Sequence, residues 1–256
     1  MSRSLYLSTR DCLNPLEPHR AKWLVPSLDL SNITQYGVRL KTFMMNNSVY
    51  AVNRFYDTIN WTETDGSTPA TYSATLTHQT YTGAQLATHI AALMTTESAA
   101  GLGDTYTGSY NSQTKFITIT NTTGLPNIFN FNAVANNAYR IMGFTATDIA
   151  SQAPAVSQTS VSMVDLAGTK YIDILSSSLS TANISSSSTS STFARIPITT
   201  NIGSVIYYIN HDSESLTLRS DNIEEIEIQL RDDEGNVYEM DENHHFSMVC
   251  EFKLKS

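Results

Sequence analysis

The sequence predicts an all-β protein built as an antiparallel β-sandwich, and three observations support this. Most segments after residue 36 alternate apolar with polar residues, which is the period of half-buried strands. A single segment has clear helical spacing. Charged residues form 15% of the chain, against roughly 25% in an average globular protein, and serine, threonine and asparagine take their place. A chain of 256 residues is long enough for one large β domain.

Residues 1–35 differ from the rest of the chain. Three prolines interrupt the candidate elements there, Pro15, Pro18 and Pro26. Proline lacks the backbone N–H that helices and sheets use, so we expect an irregular N-terminal arm followed by a sandwich domain over residues 36–256. Terminal segments stay loose unless they are tied down, and residues 1–22 are therefore expected to become ordered on docking against a neighbouring subunit.

Strand-like segments begin at Tyr36. The stretch YGVRLKTFMM places Val38, Leu40 and Phe43 on one face, with one break in the alternation before Phe43. The stretches SVYAVNRFYDTINW and TYSATLTHQ are rich in β-branched, aromatic and hydroxyl residues and predict two further strands.

The one clear helix begins where the period changes. Thr82 is a candidate N-cap and Gln85 lies three residues later, which is the spacing of a capping box. Four apolar residues then fall on one face, Leu86, Ile90, Leu93 and Met94. The pattern predicts a short amphipathic helix over residues 83–96 that lies on a sheet.

More strands follow the helix. The stretch DTYTGSYNSQTKFITITN predicts a hairpin with its turn at Asn111–Thr114, and AVANNAYRIMGF predicts a second, shorter helix that Gly143 ends. The segments KYIDILSSSL, ARIPIT, SVIYYIN and SLTLRS all have strand character. Residues 176–192 contain 13 serines or threonines in 17, which is too few apolar groups to order the segment unaided. We expect a long loop there, either a lip that orders against a partner or a surface loop without a role.

The stretch IEIQLRDDEGNVYEM, from Ile226 to Met240, predicts a β-hairpin. Its apolar residues alternate with acidic and amide residues, Ile226, Ile228 and Leu230 against Glu225, Glu227 and Gln229. The apolar set is expected to face the sandwich interior, and the acidic turn at Asp232–Asn236 is expected to be exposed. The last strand, FSMVCEFKL, alternates in the same way. We interpret both as braces of a rigid block and not as walls of an active site.

No enzyme motif occurs in the sequence, since the GxSxG, P-loop, dinucleotide-binding and HExxH patterns are all absent. The DDEGN stretch at Asp232–Asn236 lacks the acid spacing of a calcium loop and is better explained as a turn. His244 and His245 are adjacent, so on a strand they point to opposite faces and cannot chelate one ion together. His89 is expected to be solvated and His78 to pack in a sheet. We predict no catalytic residue, no cofactor and no metal site.

The net charge of −9 argues against a general nucleic-acid binder, because such proteins are basic. Cys12 and Cys250 have no zinc-ligand spacing. No apolar run reaches the roughly 20 residues of a membrane span, and the first residues lack the apolar core of a signal peptide. These features predict folding in a reducing cytosol and no membrane span.

Two stretches carry a resemblance to a known family. One combines YTGAQLATHIAALM, YTGSYNSQTKFITITN, IFNFN and YRIMGF, and the other combines LRSDNIEEIEIQLRDDEGN with FSMVCEFKL. Together they resemble the penton (vertex) and related minor capsid proteins of large icosahedral double-stranded DNA viruses and virophages, over residues 36–256. The resemblance implies a single jelly roll whose small helix–hairpin segment, around residues 81–145, is an insertion between sandwich strands.

The resemblance also implies a function. The chain would form a homopentamer at each fivefold vertex and contact the double-jelly-roll major capsid protein, with other minor capsid proteins as further candidate partners. It would reside in the virion capsid after synthesis in the host cell cytoplasm, and it would bind no specific nucleic acid. The low charge and the lack of active-site motifs are compatible with such a shell subunit.

Two other function classes stay open at this point. A carbohydrate-binding β-sandwich, such as an adhesin, spike or lectin-like head, would need exposed aromatic residues, and Trp23 and Trp61 are the two tryptophans. A β-sandwich hydrolase would need a pair of carboxylates that meet in space rather than in sequence.

Overall fold

The structure is a computed structural model. It describes residues 2–13, 19–29, 36–67, 69–123, 127–132, 137–144, 155–179, 183–184, 189–212, 215–218, 222–240 and 243–254. The chain divides into two compact units. Unit 1 comprises Met1–Val49 and Thr169–Ser256, and unit 2 comprises the intervening Tyr50–Gly168.

Strands predominate among the described residues. In chain order the strands are β1 (Ser2–Ser8), β2 (Arg20–Asp29), β3 (Tyr36–Asn46), β4 (Thr58–Thr64), β5 (Ala70–Thr75), β6 (Tyr106–Tyr110), β7 (Ile117–Asn121), β8 (Ile128–Phe131), β9 (Ser157–Thr159), β10 (Tyr171–Leu175), β11 (Asn183–Ile184), β12 (Thr189–Ser190), β13 (Thr192–Pro197), β14 (Val205–Ile209), β15 (Leu216–Thr217), β16 (Asn222–Arg231) and β17 (Phe246–Leu254). The helices are α1 (Gly83–Ser98) and α2 (Tyr139–Met142), and a 3₁₀ turn covers Thr9–Asp11.

Unit 1 is an antiparallel β-sandwich. Sheet A has the strand order β1-β17-β3-β14, with β15 also paired to β3, and sheet B has the order β13-β10-β16-β2. Alternate residues of both sheets are buried together in one hydrophobic core, as in two sheets packed face to face. The predicted all-β class, a jelly-roll sandwich with a helix–hairpin insertion, is confirmed.

The N-terminal residues are not the irregular segment that the prolines predicted. Strand β1 pairs with β17 along its whole length, from Ser2 opposite Lys253 to Ser8 opposite Ser247, and β2 pairs with β16. Pro26 lies inside β2, where the pairing with β16 shifts register. Because β2 is the edge strand of sheet B, a missing N–H is tolerated there. Two other prolines, Pro15 and Pro18, lie outside the described residues.

A β-bulge explains the break of alternation in β3. Val249 of β17 pairs with Thr42 and the next residue, Cys250, pairs with Leu40, so Lys41 is an extra residue on β3. The bulge returns Phe43 to the interior, where it is fully buried. One inserted residue would otherwise turn every later side chain to the other face.

The prediction for Ile226, Ile228 and Leu230 is confirmed, because all three are fully buried in the core. The hairpin itself is different from the prediction. Strand β16 lies between β10 and β2, and beyond the turn the structure shows one isolated bridge, from Arg231 to Val237. The chain then continues to β17 in sheet A, so the stretch is a central strand and a turn.

Unit 2 combines α1 with two three-stranded sheets, β5-β4-β8 and β6-β7-β9. The predicted capping box is present, with Thr82 and Gln85 each accepting from the other's backbone. Gly108 of β6 lies so close to the Ala87 carbonyl of α1 that a Cβ atom has no room. Gly143 ends α2 in the left-handed region, at φ 85°, as the sequence predicted.

The extents of two predicted segments differ in the structure. Unit 2 is larger than the insertion expected around residues 81–145, because it also contains β4, β5 and β9, and β4 and β5 share its core with α1. The serine-rich segment contains the short paired strands β11 and β12, and Leu179 within it is fully buried. Residues 180–182 and 185–188 of that segment lie outside the described residues. Within the described part of the chain, neither helix is long and apolar enough to cross a bilayer.

Candidate assembly surface

The acidic turn after β16 is stabilised by its own carboxylate. Asp232 Oδ1 accepts hydrogen bonds from the backbone N–H groups of Glu234 and Asn236, at 3.0 and 2.8 Å, and Oδ2 accepts from Asn236 Nδ2 at 3.1 Å. Burial raises the pKa of Asp232, although these hydrogen bonds oppose the effect. Asp232 is 7% exposed, whereas Glu234 and Gly235 are exposed. The predicted exposure of the turn is therefore found at its tip and not at Asp232. The carboxylate oxygens of Asp232 accept hydrogen bonds from within the turn itself, as in other Asx turns.

The histidines are dispersed. His245 Nδ1 lies 3.2 Å from Thr9 Oγ1, while the Nδ1 atom of neighbouring His244 is buried and has no hydrogen-bond partner among the described residues. His78 pairs with Asp57 at 2.9 Å, and His89 stacks on Tyr81 with ring centroids 5.6 Å apart. No group of three or more His, Cys, Asp or Glu side chains could hold a metal in the described part of the chain.

The two tryptophans do not form a surface platform. Trp23 is 5% exposed and donates its Nε1 proton to Ser8 O at 2.8 Å. Trp61 is fully buried and donates to Glu63 Oε1 at 2.7 Å. The aromatic residues that a sugar-binding head would need are therefore not these two.

The outer face of sheet B is mostly polar, with Leu24 of β2 exposed at 59%, and charged side chains pair there across neighbouring strands. Three ion pairs lie there, Arg20–Glu227 at 2.6 Å, Lys22–Glu225 at 2.7 Å and Arg195–Asp173 at 2.8 Å. The Arg195 guanidinium also covers the Tyr171 ring at 3.8 Å from its centroid. This face satisfies its own charges and suits contact with water.

The outer face of sheet A is different, and we name five of its residues the apolar face. They are Tyr6, Met44, Val205, Tyr207 and Ile209, with exposed fractions of 63, 47, 48, 61 and 42%. Strand pairing brings them together, because Met44 of β3 is paired with Tyr207 of β14, and Val205 and Ile209 lie two residues to either side of Tyr207. The buried Arg39–Glu251 pair, at 2.7 Å, lies further along β3 and β17. Exposed apolar patches on otherwise polar proteins mark interaction sites.

Strand β14 is also an edge strand in the part of the chain that the structure describes. Its strand partner there is β3, and its sequence, VIYYI, contains no charge and no proline. Natural edge strands usually carry lysine, proline or a bulge that prevents another strand from pairing. The sequence identified this segment as a strand, but its uncharged residues gave no sign that it lies at a sheet edge.

Both cysteines are free thiols. Cys250 lies in the core of unit 1, and burial raises its pKa to about 12. Its thiol is therefore inert at neutral pH, because the thiolate is the reactive form.

This architecture also occurs in a known protein structure, although sequence comparisons find no relative. No protein-family model matches the chain, and no curated protein is similar in sequence. Among solved structures, the chain matches the crystal structure of selenomethionine-labelled mavirus penton protein, with a TM-score of 0.52, 12% identity and 99% of each chain covered. The chain has a penton-like fold. At this identity the likeness concerns the fold, and the penton-like fold includes both units because the match extends over nearly the whole chain.

Proposed function

We propose that the protein is a structural capsid subunit. It forms the pentameric capsomer at icosahedral fivefold vertices and contacts the double-jelly-roll major capsid protein. In this role it is a virion component made in the host cell cytoplasm, and it performs no catalysis. The observation that carries the proposal is the penton-like fold shared over 99% of both chains.

The two sheet faces of unit 1 support an assembly role. Sheet B presents paired charges to solvent, whereas sheet A presents the apolar face and the free edge of β14. Subunit interfaces are depleted in charge and enriched in tyrosine and methionine at their centres. The apolar face has this composition, so we assign it to contacts with neighbouring capsid subunits.

Fivefold closure constrains how the apolar face is used. A patch that meets its own copy gives a twofold dimer, while a ring of five requires two different surfaces on each subunit. The β14 side of the apolar face, with Tyr207 and Ile209, therefore meets a second, different surface of the neighbouring copy, and a pure dimer is not expected.

The test is a mass measurement by size-exclusion chromatography with light scattering, followed by imaging of intact particles. We expect a mass of five chains under assembly conditions and density for the protein at fivefold axes. A protein that stays monomeric at all concentrations and is absent from the vertices contradicts the proposal. Binding of such a monomer to a glycan array would favour the carbohydrate-binding class instead.

A further inference from the structure

A depression of about 290 Å³ in unit 1 overlaps the apolar face, since Tyr6, Met44 and Val205 line it. It crosses the strands of sheet A near one end, since its walls come from β1, β17, β3 and the first residue of β14. Its lining includes Tyr6, Ser8, Arg10, Met44, His245 and Ser247. The register explains the hollow, because the small side chains of Ser8 and Ser247 lie opposite each other between the larger Tyr6 and Met44.

The charge of this depression is opposite to that of the chain. The protein carries 24 acidic residues against 15 lysines and arginines, yet among the described residues the lining contains Arg10 and His245 and no carboxylate. The side chain of Arg10 is exposed, and no ion pair joins it to any residue that the structure describes. Asp11, the next residue along the chain, is not part of the lining.

We propose that this depression binds an extended acidic segment of a partner capsid protein, with a carboxylate on Arg10 and an apolar side chain against Tyr6 and Met44. The inference rests on the proposed capsid role, for which it names the chemistry of one contact. The volume of the depression lies at the lower limit of small-molecule pockets, roughly 300–1,000 Å³. This volume suits a few side chains of a peptide. Arginine is the residue best suited to a carboxylate, because its planar fork donates two parallel hydrogen bonds.

A second copy of this chain is the less suitable occupant. Outward-facing carboxylates on the strands of unit 1, those of Asp173, Glu225, Glu227 and Glu251, already pair with basic residues of the same unit. A neighbouring copy would have to break these pairs to supply a carboxylate from a strand. Other described carboxylates of unit 1, such as Asp212 and Asp233, lie in loops and turns and not in an extended segment. A different protein with free acidic side chains could supply a carboxylate without breaking any of these pairs.

The test uses the full chain and a short fluorescein-labelled peptide of alternating glutamate and leucine, with the lysine–leucine peptide as the probe control. Binding is measured by fluorescence polarisation at low and high salt. We expect the glutamate peptide to bind and the lysine peptide not to bind. Arg10→Ala should weaken binding by about tenfold or more, since a hydrogen bond to a charged group is lost. Added salt should weaken wild-type binding, because the contact is solvent-accessible.

Two variants keep the result interpretable. Arg3→Ala removes the same charge from β1, the strand that precedes the 3₁₀ turn of Arg10, outside the depression. It should bind as wild type does, whereas Arg10→Lys should restore part of the affinity. Thermal melts of all variants should coincide, because both arginines are exposed. No binding of the wild type up to about 1 mM peptide, or equal loss in Arg3→Ala and Arg10→Ala, overturns the inference.

The remaining outcomes separate the possible occupants. If Arg10→Ala lowers the mass of the assembled protein, a second copy fills the depression and the inference is wrong. Arg10-dependent binding of a single-stranded oligonucleotide or a sialylated glycan in preference to the glutamate peptide also overturns it. Failure of the chain to form pentamers, with Arg10-dependent peptide binding intact, instead counts against the proposed capsomer and leaves the peptide site standing.

Discussion

The Tyr106 hydroxyl donates a hydrogen bond to Glu63 Oε1 inside the core of unit 2, with 2.7 Å between the two oxygen atoms. The Glu63 side chain is fully buried, and it accepts two further hydrogen bonds of 2.7 Å, from Trp61 Nε1 and Ser98 Oγ. Burial and the neighbouring carboxylate both raise the pKa of Tyr106, so its hydroxyl remains a donor. One carboxylate thus joins β4, β6 and the end of α1.

Glu63→Gln should destabilise unit 2, because the amide NH₂ group faces donors and leaves buried hydrogen bonds unmade. We expect a loss of about 1–3 kcal/mol in the free energy of unfolding, measured by chemical denaturation. Glu97→Gln, on the exposed part of α1 next to Ser98, is the matched control and should be within about 0.5 kcal/mol of wild type. Equal effects of the two changes would show that the buried network contributes nothing.

Ile228→Ala should be strongly destabilising. Ile228 is fully buried in the core of unit 1, and truncation of such a side chain costs about 2–5 kcal/mol. Glu227→Ala removes an exposed ion pair with Arg20 and should cost about 1 kcal/mol or less. Thermal melts of the two variants decide the register of β16, and a larger loss in Glu227→Ala would mean that the faces are assigned the wrong way round.

Deletion of residues 1–12 should destabilise the isolated subunit. This reverses the expectation for a loose arm, because β1 covers the edge of β17 over seven pairs and buries Leu7 at 3% exposure. We expect a lower melting temperature and more aggregation of the subunit, because the edge of β17 becomes unpaired. A truncated chain that melts as the full chain does would show that β1 forms only on assembly.

Tyr207→Glu should abolish assembly without unfolding the subunit. Tyr207 is 61% exposed at the centre of the apolar face, so a charge there costs little in the monomer, about 0.5 kcal/mol or less, but is costly in a buried interface. Lys22→Glu, on the outer face of sheet B, is the control and should still assemble. Mass measurement of both proteins is the readout, and normal assembly of Tyr207→Glu would remove the apolar face from the interface.

Unit 1 should lose stability in acid through Glu251. Burial by itself raises the pKa of Glu251, but the hydrogen bond from Arg39 at 2.7 Å and the charges of Arg39 and Lys253 hold it below its usual value. A carboxyl whose pKa is lower in the folded state stabilises the fold above its unfolded pKa, near 4.3, and loses that contribution as pH falls through the folded pKa. Melting temperature should therefore fall below about pH 4.5, with a shallower fall in Glu251→Gln. Equal slopes in the two proteins would assign the acid effect to other groups.

The local sequence was sufficient for the elements whose stability is local. The capping box of Thr82 and Gln85 and the left-handed Gly143 are recognisable because their hydrogen bonds join residues a few positions apart. The burial of Ile226, Ile228 and Leu230 was predictable for a related reason. One buried face imposes a period of two on a strand, whatever strand lies beside it.

The sequence did not determine which strands pair. Ser2 lies opposite Lys253, and no pattern in residues 1–35 predicts that β1 pairs with β17. Three prolines there predicted irregular chain, and the position of Pro26 at a sheet edge, where its missing N–H costs nothing, is a property of the whole sheet. The bulge at Lys41 likewise appeared in the sequence as a break in alternation, and its meaning depended on the register with β17.

The candidate assembly surface is also a feature that the local sequence did not determine. The alternation of VIYYI fixes that Val205, Tyr207 and Ile209 share a face, but only the tertiary structure shows that this face is the outer one and that β14 lies at an edge. The same holds for Arg10, whose depression exists because strand pairing sets Ser8 opposite Ser247. Periodicity arises from neighbours along the chain, whereas exposure and edges arise from contacts between residues some 200 positions apart, which no local pattern encodes.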